Sequence, residues 1–117
     1  MSAIPVTALI HYRAQPEKAD IALAELASLI ATVISRESEC LGIRLYRDPA
    51  DAERLLLYER WSDGEYYTGP HMETPHLQSF IARSGEFLAG PPDITLWQLQ
   101  REETRQSLSD GSLPESP

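Results

Sequence analysis

The sequence predicts an α+β domain, because four stretches alternate apolar and polar residues while two others repeat apolar residues every three or four positions. Alternation is typical of strands with one face on a core, and the longer repeat is typical of amphipathic helices. The predicted order is strand, helix, strand, strand, helix, strand. This βαββαβ order is that of ferredoxin-like domains, whose antiparallel sheet carries the helices on one face.

The first half of this pattern is the more regular. Residues 4–13 alternate with isoleucine, valine, alanine and tyrosine on one face, which predicts the first strand. Pro16 sits where a helix can start, since the first turn does not need the N–H that proline lacks. The helix is predicted to run to about Glu37, on apolar residues at helical spacing: Leu23, Leu26, Ala27, Ile30, Val33 and Ile34.

Two alternating stretches then flank a turn. Residues 43–47 and 54–61 lie on either side of Asp-Pro-Ala-Asp at 48–51, whose turn chemistry predicts a hairpin. Residues 63–67 fit either a short helix or a loop, and Gly69-Pro70 would end a helix there.

The last two elements follow the same logic. Thr74 can cap a second helix that starts at Pro75 and keeps an apolar stripe until Gly90. Residues 94–99 alternate again and predict the fourth strand.

The chain is long enough for one domain with its own core, at 117 residues of which 42% are hydrophobic. We predict this domain over residues 1–102. Residues 103–117 are rich in Glu, Ser, Gln, Gly and Pro, which predicts a disordered tail.

Charge and cysteine content narrow the possible partners and the compartment. The net charge of −8 argues against a nucleic-acid or anionic-membrane partner, because both need clustered Lys and Arg. No apolar run approaches the ~18 residues of a membrane-spanning helix. The single cysteine, Cys40, cannot form an internal disulfide, and no leader pattern is present, so we expect a small buried thiol in a cytoplasmic protein.

The predicted sheet would leave one face without helices. His11 lies on this face, and a structural role is expected for it. This face carries more apolar surface than a monomeric protein usually exposes to water. We therefore expect a two-fold homodimer in which two such faces pack together. The large side chains on this face are Leu9, Tyr46, Leu56, Tyr58, Trp97 and Leu99.

Candidate site residues cluster after the third strand. Glu59 and Trp61 share a strand face, and His71 and His76 follow in the next segments. A carboxylate, an indole and an imidazole can line a pocket for a flat organic molecule. His71 is the candidate acid or base, because imidazole titrates near neutral pH, although a histidine on a surface loop would look the same in sequence.

The same stretch resembles the antibiotic biosynthesis monooxygenase family of small dimeric α+β barrels. The resemblance rests on Tyr58-Glu59-Arg60-Trp61, His71 and Thr74-Pro75-His76-Leu77, with Cys40-Leu41-Gly42 and Leu45-Tyr46-Arg47-Asp48-Pro49 upstream, and spans residues 4 to 100. It implies oxidation of a quinol, phenol or anthrone by molecular oxygen without flavin, haem or metal. The haem-degrading relatives use an asparagine, and this sequence contains none.

The resemblance also implies roles. His71 would be the base, Glu59 would orient it or receive a proton, Trp61 and Phe80 would shape an aromatic slot, and His76 would contact the substrate. Each residue has a plainer alternative: Trp61 as core, His76 as a solvent-facing or turn-capping residue, and Glu59 as the partner of an arginine, either Arg47 or Arg60.

Other functions stay open at this point. Isomerisation of a small sugar-like signalling molecule would need basic groups in the pocket, for which Arg44, Arg47 and Arg83 are the candidates. A ligand-binding or stress-response module without turnover is another. A metal site is not supported, because Pro75 interrupts the two histidines and no Cys or carboxylate cluster completes a ligand set.

Overall fold

The computed structural model describes residues 3–105 and contains one four-stranded antiparallel sheet, with strand order β2-β3-β1-β4. The predicted α+β, ferredoxin-like βαββαβ fold is confirmed, with two short additions between β3 and the last helix. The elements are β1 (Val6–Arg13), α1 (Ala19–Arg36), β2 (Cys40–Asp48), β3 (Asp51–Trp61), α2 (Gly64–Thr68), a 3₁₀ helix (Pro70–Glu73), α3 (Pro75–Ser84) and β4 (Asp93–Trp97).

The first helix begins three residues later than predicted. Glu17 has a φ of 66°, in the left-handed region, and the Lys18 N–H donates to the Gln15 carbonyl across a tight turn. Pro16 therefore belongs to this turn, and α1 starts only at Ala19.

The ambiguous segment after β3 is helical. The Asp63 side chain accepts hydrogen bonds from the backbone N–H groups of Glu65 and Tyr66, which caps α2. The 3₁₀ helix that follows, Pro70–Glu73, was not predicted. It carries His71 into the interior.

The second long helix is shorter than predicted. Thr74 occupies the predicted N-cap position, but its side chain makes no capping hydrogen bond, because its hydroxyl donates to the His71 carbonyl instead. The chain leaves the helix after Ser84 and returns to β1, where the Ala89 N–H donates to the Arg13 carbonyl. Phe87 and Leu88 are thus buried against the sheet rather than by continuation of a helix.

The core lies between the helices and one face of the sheet. Ile10 and Leu57 are direct cross-strand partners on this face, and Leu26 of α1 packs into the same cluster. The other face, called the outer face, carries no helix among the described residues, and Trp97 there is 57% exposed. The predicted dimeric barrel would cover it and stays a prediction.

The predicted end of the domain, residue 102, lies close to residue 105, the last residue that the structure describes. Residues 103–105 are exposed and outside regular structure, and the rest of the predicted tail lies outside the described residues. Among residues 3–105 no helix is both long and apolar enough to cross a bilayer.

Candidate active site

A cavity of about 710 Å³ lies between the inner face of the sheet and the helices. Its walls are mostly apolar, from Leu57 on β3 to Val33 on α1. A largely apolar cavity of this size with a few convergent polar groups is typical of small-molecule sites. The buried polar side chains that line it are Tyr12, Glu59, Tyr67 and His71.

Glu37, just after α1, binds three side chains, one of which is the cavity residue His71. Its carboxylate is 3% exposed. Oε1 accepts from the Tyr66 hydroxyl at 2.8 Å and from His71 Nδ1 at 2.8 Å, and Oε2 accepts from His76 Nε2 at 2.6 Å. One carboxylate therefore joins the end of α1 to α2, the 3₁₀ helix and α3.

These contacts fix the protonation state of Glu37. Burial alone would raise its pKa, but the hydrogen bonds from His76, His71 and Tyr66 outweigh burial and lower it. An ionised carboxylate accepts hydrogen bonds only, so His71 Nδ1 carries the proton.

The other nitrogen of His71, Nε2, is left available to accept a proton. With the proton on Nδ1, Nε2 of the neutral ring has a free lone pair. The ring lines the cavity, and within the described residues Nε2 has no hydrogen-bond partner and is not sealed from solvent. A base held by a carboxylate thus faces an apolar cavity.

Glu59 supplies a second titratable group on the cavity wall. Its Oε1 accepts from the indole Nε1–H of Trp61 at 2.9 Å, and its side chain is 5% exposed. Burial raises the pKa of Glu59 to about 7, helped by the negative charge of Glu37 and opposed by the Trp61 hydrogen bond. Glu59 is therefore a proton donor below neutral pH and an acceptor above it.

Trp61 packs against His71 but does not line the cavity. It is fully buried and absent from the cavity lining. Its ring centroid lies 4.4 Å from that of His71, and Tyr67 stacks on His71 with centroids 5.3 Å apart and an interplanar angle of 19°. The Trp61 and Tyr67 centroids are also 5.3 Å apart, so the imidazole and the two aromatic rings form one cluster in which each ring packs on the other two.

Comparison with known proteins agrees with the fold. Residues 5–83 match the sequence profile of the family described as antibiotic biosynthesis monooxygenase. The chain belongs to the antibiotic biosynthesis monooxygenase family. The matched residues include the four buried polar residues of the cavity, Tyr12, Glu59, Tyr67 and His71.

Individual relatives of this family are distant in sequence. The Bacillus subtilis (strain 168) protein named "Putative monooxygenase YcnE" is 28% identical over 76% of this chain and 92% of its own length. The structure of Rv0793 from Mycobacterium tuberculosis has a TM-score of 0.72 at 24% identity, covering 84% of this chain and 97% of that one. The structure of a "putative antibiotic biosynthesis monooxygenase" from Caulobacter crescentus CB15 has a TM-score of 0.76 at 21% identity. It covers 85% of this chain and 92% of that one. These structures share the family fold.

The structure brings together some of the predicted site residues and separates others. His71, Glu59 and Phe80 all line the cavity. Trp61 does not, so the predicted stacking of a substrate on its ring is not available in this arrangement; the indole is occupied by His71 and Glu59. His76 is neither solvent-facing nor in the lining, because it is turned onto Glu37.

The carboxylate that orients His71 is Glu37, not Glu59. The sequence did not predict this role of Glu37, because Glu37 and His71 are 34 residues apart in the chain. One signal was present: a carboxylate immediately after a helix opposes the helix dipole and needs compensating donors. Tyr12 and Tyr67 were also missed as cavity residues, since a strand tyrosine looks like core in sequence. Burial and the charge of Glu59 raise the pKa of both phenols, so both stay protonated.

The arginines considered as basic groups of the pocket, or as partners of Glu59, lie elsewhere. Arg44 lies over the Tyr58 ring at 5.6 Å, Arg47 pairs with Asp20 and Arg83 pairs with Glu25. None of them lines the cavity, and the Arg47 and Arg60 contacts of Glu59 are not formed. Over residues 3–105 no group of three or more His, Cys, Asp or Glu is placed to hold a metal ion.

Proposed function

We propose that this protein is a monooxygenase that oxidises a small hydroxyaromatic of the quinol, phenol or anthrone type with molecular oxygen and without a cofactor. The observation that carries the proposal is the Glu37–His71 pair, which presents Nε2 as a base to an apolar cavity. The family membership and the monooxygenase name of the Bacillus subtilis relative support the reaction class.

The first step is removal of the hydroxyl proton by His71 Nε2. The resulting imidazolium donates through Nδ1 to Glu37, whose negative charge stabilises it in a low-dielectric site. The substrate anion is electron-rich enough to reduce oxygen directly.

In the following steps oxygen is the oxidant and the substrate is the reductant. Oxygen forms a bond to the ring carbon and takes back the proton from His71, which gives a hydroperoxide. Loss of the hydrogen on that carbon as a proton, with cleavage of the O–O bond, releases one oxygen atom as water. The other oxygen atom remains as a carbonyl, so no external reductant is consumed.

The remaining predicted residues have supporting roles in this proposal. Glu59 in its protonated form donates to a second substrate oxygen, or accepts a proton when ionised, and the Phe80 ring packs on the aromatic face. Trp61 positions Glu59, and His76 positions Glu37. Both act through another side chain rather than on the substrate.

Assembly and location belong to the same proposal. We expect the active form to be a homodimer joined through the outer faces, because Trp97 and Tyr46 would otherwise stay in water. We also expect it to work in the cytoplasm.

The proposal is tested with purified protein stripped of metal and flavin. Incubation with a quinol and an anthrone under ¹⁸O₂ should give a product that carries one labelled carbonyl oxygen, formed faster than in buffer. A rate equal to uncatalysed autoxidation across such substrates would leave only a ligand-binding module.

A further inference from the structure

The cavity has a polar buried end and an apolar exposed end. At the buried end, Glu59 and His71 are each 5% exposed. At the other end the lining side chains Ile81 and Ile94 are 51% and 42% exposed, and Gly90 and Pro91 of the lining are exposed as well. Water therefore reaches the apolar end of the cavity much more freely than it reaches the groups proposed for chemistry.

Strand pairing gives the distance between the two ends. Glu59 lies on β3, and Ile94 lies on β4, with β1 between the two strands. Neighbouring strands are about 4.8 Å apart, so the cavity extends roughly 10 Å across the sheet from Glu59 to its exposed edge. A single substituted ring at Glu59 and His71 leaves the outer part of the 710 Å³ unfilled.

The exposed end carries no charged lining side chain. Arg83 is nearby on α3, but it pairs with Glu25 and does not line the cavity. Within the described lining only Ser84 offers a polar side chain at this end. An anionic tail such as a phosphate or carboxylate would find no partner there.

We propose that the substrate head carries an extended uncharged apolar substituent, which runs from the buried end across the sheet and leaves between Ile81 and Ile94. The proposal rests on the monooxygenase function proposed above for the head group. Exposed isoleucines at the mouth are then covered by the substrate, and the apolar walls are filled.

The test uses 4-alkylphenols from methyl to octyl, whose binding is measured by calorimetry and requires no oxidation. Each methylene that enters the cavity should tighten binding by up to about fourfold, and the gain should stop where the chain reaches water. A dissociation constant that does not change with chain length would overturn the proposal. So would equal affinity for propyl chains that end in a methyl group and in a carboxylate, because a three-carbon chain ends inside a cavity that extends roughly 10 Å.

Variants at the mouth locate the tail. Ile81→Asn and Ile94→Asn should weaken octylphenol binding several-fold and leave methylphenol binding unchanged. Ile21→Asn is the matched control, because Ile21 is 50% exposed on α1 and does not line the cavity. Equal octylphenol affinity in the wild type and in both mouth variants would contradict the assigned path.

The outcomes separate this inference from the proposed function. Chain-dependent binding without oxygen uptake would keep the tail site and remove the monooxygenase reaction. Oxidation of single-ring quinols without any chain dependence would do the reverse.

Discussion

His71 Nδ1 lies 2.8 Å from Glu37 Oε1, and this contact orients a histidine on a short 3₁₀ helix for the role of base in the proposed reaction. The carboxylate selects the tautomer that frees Nε2, and it stabilises the charge that the ring acquires. Because Trp61 and Tyr67 pack on the same ring, the imidazole has little freedom to rotate away.

Replacing Glu37 with Gln should lower turnover by about 10²-fold or more, because an amide can present N–H to His71 and disfavour the productive tautomer. Oxygen uptake with a quinol measures the effect, with Glu65→Gln as a control of equal charge change on an exposed position. Unchanged turnover in the Glu37 variant would show that the carboxylate is structural only.

Glu59 should make stability fall as pH rises. Its pKa is raised to about 7 in the folded protein, so between the unfolded value near 4.5 and pH 7 the native state binds more protons than the unfolded chain. Glu59→Gln should remove this slope, so its stability relative to wild type should rise by about 2–3 kcal/mol between pH 5 and pH 8. Urea unfolding at the two pH values measures it, and parallel pH profiles for the two proteins would refute the assignment.

Trp61→Phe should cost stability more than substrate affinity. The substitution removes the 2.9 Å hydrogen bond to a buried carboxylate and leaves space in the core, for a loss of about 1–3 kcal/mol. A double-mutant cycle with Glu59→Gln by urea unfolding should show coupling between the two residues. Additive effects would mean that the indole hydrogen bond contributes nothing.

Trp97→Glu should dissociate the expected dimer. Trp97 is a large exposed aromatic residue on the outer face, and two charges brought together there would repel. Light scattering at micromolar concentration should give a dimer for wild type and for Ile21→Glu, but a monomer for Trp97→Glu. A wild-type monomer would disprove the dimer.

The sequence predicted what depends on local periodicity. Alternation in β3 correctly placed Glu59 and Trp61 on one face, and the helical stripe of α1 correctly faced Leu26 inward. It did not predict which side chains meet across the chain, since Glu37 reaches His76 over 39 residues. Burial of the Trp61 ring likewise depends on α2 and the 3₁₀ helix, whose own sequence has little periodicity.

The most direct test of the central claim compares oxygen uptake by wild type and His71→Ala with the same quinol, after both are shown to fold by circular dichroism. If His71 Nε2 is the base, the alanine variant should lose about 10²–10⁴-fold of the enzymatic rate while retaining binding of a 4-alkylphenol. If His71→Ala keeps the wild-type rate, and that rate exceeds uncatalysed autoxidation, His71 is not the base and another group removes the proton.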